Sequence, residues 1–247
     1  MSEALLIDNL SVTFGSFKAI NELSLYIDYG TVRAVIGPNG AGKTTLLDAV
    51  TGKSPATKGR IILDGRTELT ELKEPEIVLA GVGRKFQKPS IFEALTLEQN
   101  LALALRSASR SSIAEMFHRP GSEELARIQT VLETIGMAGW GDRSAGILSH
   151  GQKQWLEIGM LLMQEPRVLL LDEPVAGMSD EETDRTAELI MALRTPERAI
   201  VVIEHDMGFV ERIADRVTVL HEGQLLVEGQ MEAVKVNPRV VEVYLGR

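Results

Sequence analysis

The stretch GPNGAGKTT, residues 37–45, follows the pattern G-x-x-x-x-G-K-[ST]. Gly37, Gly40 and Gly42 free the backbone to curl so that its N–H groups face an anion, and a helix starting at the loop adds partial positive charge. Lys43 can set an ammonium on the terminal phosphates of a nucleotide, and Thr44 can offer its hydroxyl to Mg2+. Pro38, Asn39, Ala41 and Thr45 complete the loop. The plainer alternative is a glycine-rich strand-to-helix turn that binds nothing.

A second chemical stretch is RVLLLDEP, residues 167–174. An apolar strand ending in acids delivers Asp172 to the edge of a sheet, where it can hold Mg2+ through water. Glu173 points differently and can polarise an attacking water; the alternative is a solvated acid at a strand end. His205 ends the strand AIVVIEH at the same kind of edge, within reach of a γ-phosphate, although a lone histidine is more often structural. Phe14 precedes the phosphate loop and either packs in the core or stacks on a base. Gln87 stands where the texture of the chain changes and is silent by itself.

The stretch ILSHGQKQ, residues 147–154, reads as another phosphate-facing turn. Ser149, His150, Gly151 and Gln152 open a helix, and S-x-x-Q is also the pattern of a capping box. The two readings are compatible, because a capped helix start still favours anions.

These residues need a scaffold, and the chain supplies one. Residues 5–14, 23–27, 31–37 and 59–65 read as strands, and KTTLLDAVTG reads as a helix stopped by Gly52. From 88 to 148 the pattern turns helical: Thr96 and Gln99 form a capping box, and SEELARIQTVLETIG has apolar residues at helical spacing. After 149 helices alternate with the strands at 167–173 and 199–205, ending in a hairpin that turns at Glu222 and Gly223. Such alternation predicts a mainly parallel sheet in an α/β fold.

The bulk composition narrows the partners. A net charge of −9 argues against a nucleic-acid partner, whose phosphates need clustered Lys and Arg. With no cysteine there is no disulfide and no thiolate metal site. MSEALLIDNL lacks the basic and apolar regions of a signal peptide, and VLLL and AIVVI fall far short of the ~20 residues of a membrane span. A soluble protein that meets a membrane only through a partner is expected.

Taken in order, GPNGAGKTT, Gln87, LSHGQ, VLLLDE and His205 resemble the nucleotide-binding subunit of ABC transporters across the whole chain. The resemblance implies Walker A, the Q-loop glutamine, the signature, Walker B and the switch histidine at those positions, and an adenine-stacking aromatic at Phe14. It implies one P-loop cassette over 1–247, with a core from 1–87 and 149–247, an N-terminal antiparallel β subdomain and a helical insertion at 88–148. It also implies ATP and Mg2+ as ligands, Gln87 beside the metal, and head-to-tail pairing with a second ATP-binding subunit. In such a pair, the signature of one chain caps the ATP held by the other, which accounts for two phosphate loops in one sequence.

Two positions depart from the family pattern. His150 replaces the usual signature glycine, and AGMS (176–179) puts Ser179 where the D-loop aspartate stands. GVGRKFQKPSIFEALTLEQNL and EPVAGM look like the ATP-binding subunit of bacterial urea importers, with branched-chain amino acid importers as the alternative. Importers of this kind imply integral membrane permeases, a periplasmic or extracellular solute-binding protein, and a position on the cytoplasmic side of the inner membrane. Ile91 and Phe92 are expected either to pack in the core or to line a groove that receives a short permease helix.

Overall fold

The computed structural model describes residues 3–85, 90–107 and 121–245. They divide into two compact units, Met1–Arg84 with Arg167–Pro174 and Leu193–Arg247, and Lys85–Pro166 with Val175–Ala192.

The first unit holds two sheets. In one, β1 (Glu3–Phe14), β2 (Phe17–Asp28), β4 (Lys58–Leu63) and β5 (Thr67–Glu68) run in the order β2-β1-β4-β5, with antiparallel pairing throughout. Period-two alternation drives it: Leu23, Leu25 and Ile27 are buried while Ser24 and Tyr26 face out. The other sheet has the order β10-β9-β3-β8-β7-β6. Its strands are β3 (Val32–Ile36), β6 (Val82–Lys85), β7 (Val168–Asp172), β8 (Ala199–Ile203), β9 (Arg216–His221) and β10 (Gln224–Gly229). β7, β8, β3 and β9 pair in parallel, and β9 and β10 form the expected hairpin.

Every residue of β3, β7 and β8 is buried, which is why each reads as a continuous apolar run. One core joins the two sheets and α1 (Lys43–Val50) through residues such as Leu5, Ile61, Leu47, Val35 and Leu170. On the opposite face, Ala34 and Ile36 pack with α7 (Met207–Ile213), α8 (Met231–Lys235) and α9 (Pro238–Leu245) through Val210, Val234 and Val240. Burying each such valine, leucine or isoleucine side chain contributes ~1.5–3 kcal/mol.

The second unit contains α3 (Leu97–Ser107), α4 (Ser122–Thr134), α5 (His150–Leu162) and α6 (Asp180–Ala192). The Thr96–Gln99 capping box closes reciprocally at 2.9 and 3.2 Å. This unit extends past the expected boundary at 148, because α5 supplies part of its core. A Cβ on Gly159 would meet Ile135, Val131 and Leu101 at 3.0–3.3 Å, so the missing side chain admits close approach to α3 and α4. Trp155 Nε1 donates to Thr186 Oγ1 at 2.8 Å and the Arg185 guanidinium lies 4.7 Å from the Trp155 ring centre, which fastens α6 to α5.

The sequence pattern leaves five elements unmarked: β5, α2 (Glu74–Leu79), β6, α8 and α9. β6 is VGRK, yet all four residues are buried. Its charge is neutralised rather than exposed, as Arg84 bridges Asp48 and Asp172. No helix among the described residues is long and apolar enough to cross a membrane.

Candidate functional site

The phosphate loop lies between β3 and α1, and two of its glycines are required by the fold itself. Gly37 has φ +152°, and a Cβ there would come within 2.2 Å of the Leu220 carbonyl oxygen. Gly42 has φ +98°, and a Cβ would lie 2.6 Å from the Ala19 carbonyl oxygen. These glycines set the loop against β9 and β2 while the backbone adopts a shape closed to other residues. No side chain caps Gly42, so the start of α1 is left for an anion.

Lys43 is buried and folds back onto the loop, with Nζ donating to the carbonyl oxygens of Gly37 at 2.6 Å and Pro38 at 3.0 Å. Burial lowers its pKa, against the opposing pull of the Glu173 and Asp172 carboxylates. Phosphate oxygens would replace those carbonyls as partners and favour the charged ammonium against burial, so this lysine fits a nucleotide. Asn39, Gly40, Ala41, Thr44 and Thr45 line the same pocket, together with Glu173 and His205.

Asp172 ends β7, is 5% exposed, and accepts from Arg84 Nη2 at 2.9 Å. Glu173 turns away from the strand with φ +48°, a left-handed conformation that costs a non-glycine residue about 1 kcal/mol or more. The turn aims its carboxylate at His205, whose Nε2 lies 2.8 Å from Glu173 Oε1. An acceptor paired with an imidazole above a phosphate cradle can orient a water and take its proton. Thr44 and Asp172 suit Mg2+, which binds through one or two protein oxygens plus substrate phosphates. The ion would neutralise charge developing on those phosphates.

The aromatic in the pocket is Phe17, 62% exposed. Phe14, 53% exposed, faces Phe17 across the Gly15–Ser16 turn at the same hairpin tip but is outside the pocket lining. The signal was present in FGSF, because a two-residue turn places its flanking residues opposite one another. Arg84 was also missed, hidden in a strand with no apolar pattern. Gln87 lies outside the described residues.

Ser149, His150, Gly151 and Gln152 belong to the second unit. Ser149 caps α5, and its capping box with Gln152 closes at 2.9 and 3.2 Å. His150 Nε2 lies 3.2 Å from the Ala176 carbonyl oxygen, so the histidine contacts the AGMS turn. Phe92 is 55% exposed and Ile91 half-buried; the buried Asn100 holds the Phe92 backbone N–H and carbonyl at 2.8 and 3.0 Å.

Residues 20–176 match the ABC transporter family. The chain is 37% identical to the high-affinity branched-chain amino acid transport ATP-binding protein BraF of Pseudomonas aeruginosa, over 97% of this chain and 96% of the relative. It is likewise 37% identical to LivG of Escherichia coli, over 100% of this chain and 99% of that protein. Among solved structures it resembles the ADP conformation of MJ1267, an ATP-binding cassette of an ABC transporter, with a TM-score of 0.89, 30% identity and full coverage of both chains. With a phosphate cradle, a paired carboxylate and imidazole, and full-length relatives all in agreement, the chain belongs to the ABC transporter family, as an ATP-hydrolysing cassette that works with Mg2+.

Proposed function

We propose that the chain is the ATPase subunit of an importer for branched-chain amino acids or a closely related small solute. The observation that carries this reading is the Glu173–His205 pair facing Lys43 and Thr44 in one pocket, in a chain alike over its full length to branched-chain amino acid transport proteins. Lys43 binds the terminal phosphates, Thr44 and Asp172 hold Mg2+ with Gln87, and Glu173 is the general base that His205 positions. Phe14 or Phe17, at the hairpin tip, meets the base. Ser149, His150, Gly151 and Gln152 complete the ATP site of a second ATP-binding subunit. Closure of the pair, followed by hydrolysis and reopening, drives permease subunits that dock near Ile91 and Phe92 and receive solute from a binding protein. The chain then sits on the cytoplasmic face of the inner membrane without crossing it.

Of the two solutes that the sequence raised, the relatives' names favour branched-chain amino acids over urea. Deleting the gene and measuring uptake of labelled leucine and labelled urea decides between them. Loss of leucine uptake alone is expected. Loss of urea uptake alone would transfer the assignment to urea, and loss of neither would refute both.

A further inference from the structure

The start of α5 already has an anion on it. The Ser149 hydroxyl donates to Glu182 Oε1 at 2.9 Å, while Glu182 Oε2 accepts from the Ser179 backbone N–H at 3.1 Å and from its hydroxyl at 3.3 Å. A Cβ on Gly151 would lie 2.6 Å from Glu182 Oε1, so the glycine leaves room for the carboxylate over the first turn. The Ser179 N–H and then the Ser149 hydroxyl hold this carboxyl below its ordinary pKa, which keeps it ionised at neutral pH. A serine hydroxyl has one proton to donate. Ser149 therefore cannot serve Glu182 and a phosphate oxygen together, and two anions at one helix start repel.

We propose that Glu182 is a resident anion of the signature loop, a positioning residue that Ser149 must release before it engages ATP. The inference rests on the reading that Ser149 caps ATP held by a second subunit. It gives Ser179 a role at the position where the family's aspartate is missing: with Glu182 it links the AGMS turn to the signature, and the His150–Ala176 contact is a second link between the same segments. The competing view is that Glu182 only closes the capping box of α6, since its N–H donates to Ser179 Oγ at 3.3 Å.

Glu182→Gln separates these views, because glutamine still serves a capping box but carries no charge. Steady-state hydrolysis is titrated with ATP for the full chain and the variant, with ADP affinity and melting temperature measured in parallel. ADP lacks the γ-phosphate and serves as the internal control. The expected result is about a fivefold or greater fall in the ATP concentration for half-maximal rate, within the usual range of coupling between sites. The maximal rate should not fall, and ADP affinity and melting temperature should hold. An unchanged or raised half-saturation would overturn the resident anion, and a lower melting temperature with it would assign Glu182 to the cap alone. A parallel shift in ADP affinity would overturn the proposal too. Ser149→Arg tests the underlying reading separately: normal hydrolysis in that variant would refute the role of Ser149 across the dimer, whatever Glu182→Gln does.

Discussion

Glu157→Gln tests whether a buried carboxyl burdens this fold at neutral pH. Glu157 lies on α5 and is 6% exposed; Oε1 accepts the Ser90 N–H at 3.2 Å, and Oε2 is 4.0 Å from Nζ of the fully buried Lys85. Oε2 has no hydrogen-bond partner among the described residues. Burial pushes the carboxyl up to about 7 from an ordinary 4.5, outweighing Lys85 and the Ser90 N–H, which act the other way. Because the folded pKa is the higher one, the folded state keeps a proton that the unfolded chain releases. Stability is therefore full below pH 4.5, declines as pH rises towards 7, and stays reduced above it. At 1.36 kcal/mol per pH unit, the gap between 4.5 and about 7 amounts to about 3 kcal/mol. Glutamine carries no such burden, and the attraction of Lys85 for the ionised carboxylate that it forgoes is already counted in the raised value of about 7. Urea unfolding of both proteins at about pH 5 and about pH 8 should show the variant gaining about 2.5 kcal/mol on the parent between the two, because part of the effect is already spent at pH 5. An equal difference at both pH values would mean that Glu157 is ionised throughout and that the pair with Lys85 outweighs desolvation.

Three further outcomes follow from the geometry. Glu173→Gln should keep ATP binding and slow hydrolysis on the order of 10²-fold or more, trapping an ATP-bound dimer; near-normal turnover in a phosphate-release assay would remove Glu173 from the reaction. Gly37→Ala should destabilise the unliganded chain by about 3 kcal/mol or more, because its Cβ meets a backbone oxygen, while Gly40→Ala, whose Cβ meets nothing within 4 Å, should cost only ~1–2 kcal/mol by calorimetry. Ile91→Ala with Phe92→Ala should lower solute uptake and leave free-subunit ATPase and melting temperature intact, since removing an interface anchor typically costs ~2 kcal/mol; a large fall in melting temperature would place both side chains in the core.

The parts of the site that the sequence disclosed are those where one backbone shape admits few residue types. Gly37 and Gly42 are confined by carbonyl oxygens, and the loop they shape could be read from their spacing. β7 and β8 were visible because parallel strands buried on both faces become unbroken apolar runs. β6 escaped notice for the opposite reason: its Arg84 and Lys85 are buried by pairing with acids from α1, β7 and α5, and such pairing leaves no local pattern. Phe17 and Glu182 were missed because their positions depend on what faces them across a turn or in a neighbouring helix. α8 and α9, at 5 and 8 residues, are too short for helical periodicity to stand out.

The left-handed turn at Glu173 has a consequence for anyone who tries to improve this protein. At φ +48° a glycine or asparagine is more comfortable than glutamate, so position 173 carries a local conflict between conformation and chemistry. A search that rewarded heat resistance alone would be drawn to that position and would recover about 1 kcal/mol by relaxing it; with Glu173 as the proposed general base, the product would be a robust protein that closes on ATP and does not turn over. Libraries built on this cassette should therefore hold residue 173 fixed, or score dissociation of the dimer together with melting temperature.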